Sequence, residues 1–274
     1  MAPLPRNPGS ARPLTVALIG AGAIGGAVIE AVENGRVPGA RLIAELHSGS
    51  TSDEIDGAIA EADVVVEATT VDAAEEFIPR VTAAGKDIIV CSCGVFARHE
   101  NPRELIAAPH DRSALPGRVL VPAGAVGGLD VLAAASRAST ADARLRHVTI
   151  KSPAALGVDE NLREPREVFR GSAREAALRF PRTSNASVAL ALATLGLDRA
   201  EVIVLADPQV SRTRHVVEFD SPLGSYELSF ENSLDPGSGG RTSAITAWSV
   251  AELLIGIRDR VGPGAVVLDG TAET

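Results

Sequence analysis

Two groups of residues have the types and spacing to do chemistry. Gly20, Gly22 and Gly25 form GAGAIG between the apolar run TVALI and an amphipathic stretch that continues through Glu33. In such a turn the first glycine permits a tight bend and the second lets backbone approach a pyrophosphate. The third allows close packing of helix on strand, and the helix N-terminus, at Ala23 and Ile24, faces the phosphates. The competing reading is a purely structural strand-to-helix turn. The second group centres on His215 in SRTRHVVEF. A histidine titrates near neutrality and serves readily as a general base. Arg212 and Arg214 beside it are expected to lower its pKa and hold it neutral. A lone histidine on a strand is otherwise more often structural.

These residues need elements to position them. From residue 14 the chain alternates short β-branched runs (TVALIG, RLIAEL, ADVVVEAT, DIIVCS, RVLVPAG) with amphipathic stretches near residues 53–60, 73–84 and 102–108. Continuous apolar strands separated by helices predict a parallel sheet covered on both faces, a Rossmann-type doubly wound α/β fold. Beyond PAGAVGGLD, residues 122–130, the strands RHVTIKSP, VIVLAD, TRHVVEFD and SYELSFEN alternate apolar with polar residues. That alternation predicts a second, α+β domain on a half-exposed antiparallel or mixed sheet. Its helices are expected at 128–138 and 186–195, with shorter or irregular ones at 163–170 and 172–180; TSAITAWSVAELLIGIRDR is a strong helix that returns to the first domain. The resulting division is a disordered arm (1–13), a dinucleotide-binding domain (14–122), a catalytic and oligomerisation domain (123–240) and a C-terminal helix (241–274). The PAGAVGGLD turn lets a nicotinamide approach backbone closely, or is simply a packing turn.

Formal charge is −9, which offers no broad basic surface for nucleic acid. No uninterrupted apolar run is long enough to span a membrane, and the N-terminal arm lacks the apolar core of a signal peptide, so a cytoplasmic protein is expected. Cys91 and Cys93 in CSCG point to opposite faces of a strand end, which argues against a disulfide between them and for small core residues. His47, His99, His110 and His147 are dispersed, with no zinc-ligand spacing, so no metal is expected. An acidic residue at the end of the second strand would bind the ribose hydroxyls of NAD; that position reads as His47, with Glu45 before it and Ser48, Ser50 and Thr51 after. Hydroxyls with His47 suit the 2′-phosphate of NADP, and a register shift would return the acidic role to Glu45.

Several stretches together resemble the aspartate dehydrogenase family: GAGAIG, IIVCSCGVFA, PAGAVGGLD, IKSPAAL, EVFRGSAREAALRFPRTSNASVALALATLGLD, VLADPQVSRTRHVVEF and RTSAITAWS. The resemblance runs over nearly the whole chain. It implies NAD- or NADP-dependent oxidative deamination of L-aspartate to oxaloacetate and ammonia through iminoaspartate, or the reverse, in a homodimer or higher homo-oligomer. It also implies that His215 is the acid/base group and that Ala125 and Asn185 contact the cofactor. The chain departs from the family's usual phrases by Thr183 in FPRTSN, by Gly240, and by Arg241 where lysine is common. For a dicarboxylate substrate Lys151, Arg241, Thr242, Ser243 and the helix starting near Gly127 can supply cations, hydroxyls and amides. The bland readings are solvated charge for Lys151 and Arg241, and helix capping for Thr242 and Ser243. Alternatives in function are a reductase of a related amino or imino acid and a non-catalytic NAD(P) sensor.

Overall fold

A computed structural model describes residues 12–111, 113, 115–159, 161–235 and 242–262. Arg241 and most of the expected N-terminal arm lie outside the described residues.

Continuous apolar runs build the first sheet. β1 (Leu14–Ile19), β2 (Ala40–Leu46), β3 (Val64–Glu67), β4 (Asp87–Val90) and β5 (Val119–Leu120) pair in the order β2-β1-β3-β4-β5. All four pairings are parallel. Helices α1 (Ala23–Glu33), α2 (Ser52–Glu61) and α3 (Val71–Ala83) connect the strands. Val16, Leu18, Val64 and Val66 pack to one side with Val28 of α1, while Ala17, Ile19 and Val65 pack to the other with Ile59 and Ile78. Both faces are therefore buried, as parallel strands with crossover helices require. The stretch near residues 102–108 forms a 3₁₀ turn, Pro102–Leu105, in place of the expected helix. Pro109 disfavours helical backbone at the residue before it, and the Ala107 amide donates to Thr82 Oγ1, drawing the chain onto α3.

The second sheet comprises β6 (Arg144–Lys151), β7 (Arg166–Ser172), β8 (Ala200–Ala206), β9 (Thr213–Ser221) and β10 (Gly224–Asn232), in the order β10-β9-β6-β8-β7. It is mixed: β6 and β8 are parallel and the other neighbours antiparallel. The stretch 163–170, expected as a short helix, contributes to edge strand β7; a bulge between Glu167 and Phe169 breaks the alternation that would have marked it as a strand. Helices α4 (Leu129–Ala138), α6 (Ala173–Arg179) and α7 (Asn185–Ala193) cover the inner face, with the short α5 (Pro153–Leu156) following β6. Leu132, Ala176 and Leu190 meet Leu145, Val217 and Phe219 there. α8 (Ile245–Asp259) then packs Ala247, Val250, Ala251 and Leu254 against the α1 side of the first sheet. No helix among the described residues is long and apolar enough to cross a membrane.

Candidate active site

The three motif glycines have three different surroundings. Gly20 has φ +95°, and a Cβ there would lie 2.4 Å from Thr69 and 2.7 Å from the Ala68 carbonyl oxygen. A Cβ on Gly25 would lie 1.8 Å from the Gly20 carbonyl oxygen, so fold packing alone demands both glycines. A Cβ on Gly22 would meet nothing within 4 Å. Gly22 is also the N-cap of α1, with no side-chain cap and no acidic residue in the first turn. An uncapped helix N-terminus behind an open glycine fits a pyrophosphate, because its amides need an acceptor and the dipole favours an anion. The residues present thus fit a dinucleotide.

β2 ends at Leu46, so His47 is the residue at the strand's carboxyl end; Glu45 lies inside the strand, in register with Leu18. His47 Nδ1 accepts from the Gly49 amide at 3.0 Å, which directs the ring's N–H to Nε2 when the ring is neutral. Two of the hydroxyls expected to greet a 2′-phosphate are engaged locally. Ser50 Oγ accepts from the His47 amide, and Thr51 forms a capping box with Glu54 on α2.

The carboxyl ends of β3 and β4 are tied by Glu67, fully buried. Its carboxylate accepts from Thr69 N and Oγ1 at 2.7 and 2.8 Å, and from Ser92 N and Oγ at 3.0 and 2.9 Å. Burial, with Glu67 nearby, pushes both the Cys91 and Cys93 thiols up. The two are free, buried, and belong to separate cores on opposite sides of the sheet, as the sequence implied. Asn185, first residue of α7, accepts from the Gly94 amide through Oδ1 at 3.1 Å, and its carbonyl accepts from Cys93 Sγ at 3.2 Å. Asn185 thus joins α7 to the end of the first sheet.

The turn 122–128 is held from two sides. Ser249 Oγ of α8 accepts from the Gly124 amide, and Asn232 Nδ2 of β10 donates to the Ala125 carbonyl at 2.7 Å. Gly124 and Gly128 adopt φ +67° and +74°, a left-handed conformation that favours glycine. Thr242 and Ser243 precede α8 and lie beside residues 233–235, with Leu234 bridged to Ser243. Neither caps α8, whose N-cap is Ala244 with no side-chain cap.

On the inner face of the second sheet, alternation places His147, Thr149 and Lys151 of β6 beside Thr213 and His215 of β9, all buried. Thr149 is the register partner of His215. His215 Nδ1 lies 3.1 Å from His147 Nε2, and His147 Nδ1 lies 2.9 Å from Ser187 Oγ of α7. The imidazole planes are 23° apart with centroids separated by 5.2 Å, as rings joined edge to edge by a hydrogen bond require. Burial is the main cause that lowers His215 well below the ordinary histidine range, with His147 and Lys151 adding to it. The expected cause is corrected: Arg212 and Arg214 are exposed, and alternation turns Arg214 to the opposite face. Lys151 is only 4% exposed, which overturns the solvated-charge reading, and burial lowers its pKa to about 8. His147, read from sequence as dispersed, is the residue that sequence reasoning missed. Among the described residues no group of three or more His, Cys, Asp or Glu could hold a metal ion.

An open glycine cradle on a parallel sheet, joined to a mixed sheet bearing a buried neutral imidazole, defines an NAD(P)-dependent oxidoreductase. Residues 20–114 match the family described as homoserine dehydrogenase, NAD binding domain, and residues 130–257 match aspartate dehydrogenase, C-terminal. The chain is 34% identical over 261 residues to L-aspartate dehydrogenase of Methanopyrus kandleri, covering 88% of this chain and 95% of that one. It is 39% identical over 196 residues to L-aspartate dehydrogenase 2 of Bordetella pertussis, covering 69% and 71%. The crystal structure of aspartate dehydrogenase from Thermotoga maritima superposes with a TM-score of 0.68 at 25% identity, covering 94% of this chain and 99% of that one. The chain belongs to the aspartate dehydrogenase family.

Proposed function

We propose that this protein is an NAD(P)-dependent L-aspartate dehydrogenase that interconverts L-aspartate with oxaloacetate and ammonia through iminoaspartate. The observation that carries this reading is the inner face of the second sheet, where a buried imidazole kept neutral, a buried cation and two threonine hydroxyls share one polar surface. The unit 14–122 holds the dinucleotide, with Gly20, Gly22, Ala23, Ile24 and Gly25 around the pyrophosphate and His47 at the adenosine ribose, while Ala125 and Asn185 contact the cofactor from the second unit. The unit 123–240 holds the substrate. When bound, the nicotinamide supplies the acceptor for the Cα hydride.

The chain's own residues manage protons and charge. His215 Nε2 takes a proton from the substrate ammonium, so that the nitrogen lone pair can form the C=N bond as hydride departs. After releasing that proton, His215 takes one from the water that adds to the imine carbon and returns it to the amine; the C–N bond then breaks as the hydroxyl proton passes through His215 to the departing ammonia, which leaves as ammonium. Lys151 pairs with a substrate carboxylate in a low-dielectric setting, where a charge-assisted bond is strong; Thr242 and Ser243 supply hydroxyl donors to the substrate, and Arg241 follows the same chemistry as Lys151. The enzyme works in the cytoplasm as a homodimer or larger homo-oligomer. The outer face of the second sheet supports assembly, since it leaves Val148, Ile150, Leu205 and Val216 partly exposed among Arg146, Glu201 and Glu218.

Purified protein given L-aspartate with NAD or NADP, and oxaloacetate with ammonium and each reduced cofactor, is to be followed by nicotinamide absorbance. Turnover that disappears in His215→Ala, with cofactor binding retained, supports the reading; no turnover in either direction with cofactor bound overturns aspartate as substrate. The same assay on His47→Asp tests the ribose assignment, because an acid there should cut use of NADP relative to NAD by about 10-fold or more.

A further inference from the structure

His147 is used by none of the steps above, yet it is buried against the base. The contact is an N···N hydrogen bond between two imidazoles, and both are neutral because burial lowers His147 to about 4 and His215 well below its ordinary range. Two neutral rings share a single hydrogen along such a line, so their tautomers are locked to each other. In one arrangement His215 Nδ1–H donates to His147 Nε2, His147 Nδ1–H donates to Ser187 Oγ, and His215 Nε2 carries a lone pair. In the reverse arrangement every donor and acceptor exchanges and His215 Nε2 is protonated. Only the first leaves a base at the nitrogen facing away from His147.

We propose that His147 is a positioning residue that holds His215 in the tautomer with a bare Nε2, standing where a carboxylate would stand in a more strongly basic pair. The inference rests on the reading of His215 as the base. A neutral partner orients the ring and stabilises its protonated form far less than a carboxylate would, which suits a base that must shed its proton between the two halves of the reaction. The titratable groups facing His215 are His147 and Lys151 of β6. From the other packed elements, β10 turns Leu228, Phe230 and Asn232 to this side, with Tyr226 further along, and α7 offers Ser187; Thr149 Oγ1 lies 3.3 Å from His215 Nδ1.

The test is a two-bond ¹H–¹⁵N correlation spectrum of the substrate-free protein across pH, which separates the two tautomers directly, with peaks assigned by the His215→Ala and His147→Phe variants. The result expected is Nδ1–H with bare Nε2 at His215, lost or mixed in His147→Phe and kept in His147→Gln, whose amide oxygen can occupy the acceptor position. In turnover, His147→Phe should lower kcat/KM by about 10- to 100-fold, a part of the 10²–10⁴ that a positioned base supplies, and His147→Gln should recover most of it. His147→Glu places an anion beside the ring, so the acid limb of kcat/KM should move to higher pH. An Nε2–H tautomer in the unaltered protein, an unchanged tautomer in His147→Phe, or an unmoved acid limb in His147→Glu overturns the proposal. If His147→Phe does not fold, the unaltered protein's spectrum and the Glu and Gln variants still decide. The spectrum needs no substrate, so a failure of the tautomer is distinguishable from a failure to turn over L-aspartate.

Discussion

Asn232 Nδ2 donates to the Ala125 carbonyl at 2.7 Å from the end of the strand that pairs with the His215 strand, two residues beyond Phe230, the register partner of His215. The same face of β10 meets the turn twice more: Cβ atoms on Gly127 and Gly128 would lie 3.4 Å from Phe230 and 2.7 Å from Leu228. One strand face therefore fixes both the turn proposed to flank the nicotinamide and the strand that carries the base. Losing the Asn232 amide leaves a partly buried carbonyl short of a donor, at a cost of about 1–3 kcal/mol. Asn232→Leu should weaken cofactor binding by about 5- to 10-fold and lower kcat as well. Titration of reduced nicotinamide fluorescence reads the first effect; an unchanged Kd would show that the turn holds its place without this bond.

The glycines of the first turn separate packing from binding. Gly25→Ala drives a methyl to within 1.8 Å of the Gly20 carbonyl oxygen, so backbone must move. The expected loss is about 3 kcal/mol, or roughly 5–10 °C in Tm for a chain of this size. Gly22→Ala meets nothing within 4 Å and keeps an extended φ of −72°, so its melt should match that of the unaltered protein. Cofactor affinity should nonetheless fall by about 10-fold or more, because the methyl occupies the approach to the helix amides. A Gly22→Ala protein that binds NAD(P) normally would remove the pyrophosphate from this turn.

What was legible in the sequence, and what was not, follows from the range of the interactions. Strands β1, β3 and β4 are runs such as VALI and VVVE, buried on both faces, and a local window suffices to recognise them. His147 and His215 are 68 residues apart, and their contact exists only because β6 and β9 are antiparallel neighbours in one register. A signal was present: in RHVTIK the residues His147, Thr149 and Lys151 recur at period 2 on the face that Leu145 marks as buried. Polar residues at core positions of a strand are costly unless satisfied, so that pattern marks a site. Asn232 carried no comparable mark, because a polar residue ending a strand is ordinary.

Acid should destabilise the fold through the same histidines. Burial depresses their folded pKa values, His147 to about 4, below the ordinary 6.5 of an unfolded chain. Between those values the unfolded state binds more protons, so stability is complete above about pH 6.5 and is lost as pH falls toward 4. His147 alone accounts for up to about 3 kcal/mol of that loss, from the shift of its pKa at about 1.4 kcal/mol per unit. Urea unfolding at pH 7 and pH 4.5 checks this, with carboxylate effects cancelling between proteins. The decline should be shallower in His147→Phe; equal declines would mean that His147 is protonated in the folded state.

Lys151 makes the complementary prediction on the alkaline side. Its charge is required to meet a substrate carboxylate, and burial brings its pKa down to about 8. As pH rises through that value the lysine becomes neutral, so KM for L-aspartate should climb above about pH 8 while Kd for the cofactor stays level. Lys151→Met should raise KM by about 10- to 100-fold at pH 7, as expected for a charge-assisted bond worth about 1.5–3 kcal/mol, and should abolish the alkaline rise. Lys151→Arg keeps a charge that does not titrate in this range, so its KM should stay flat across the alkaline limb even where the longer fork fits less well. A KM that climbs identically in the Met and Arg variants would assign the titration to another group and remove Lys151 from the carboxylate site.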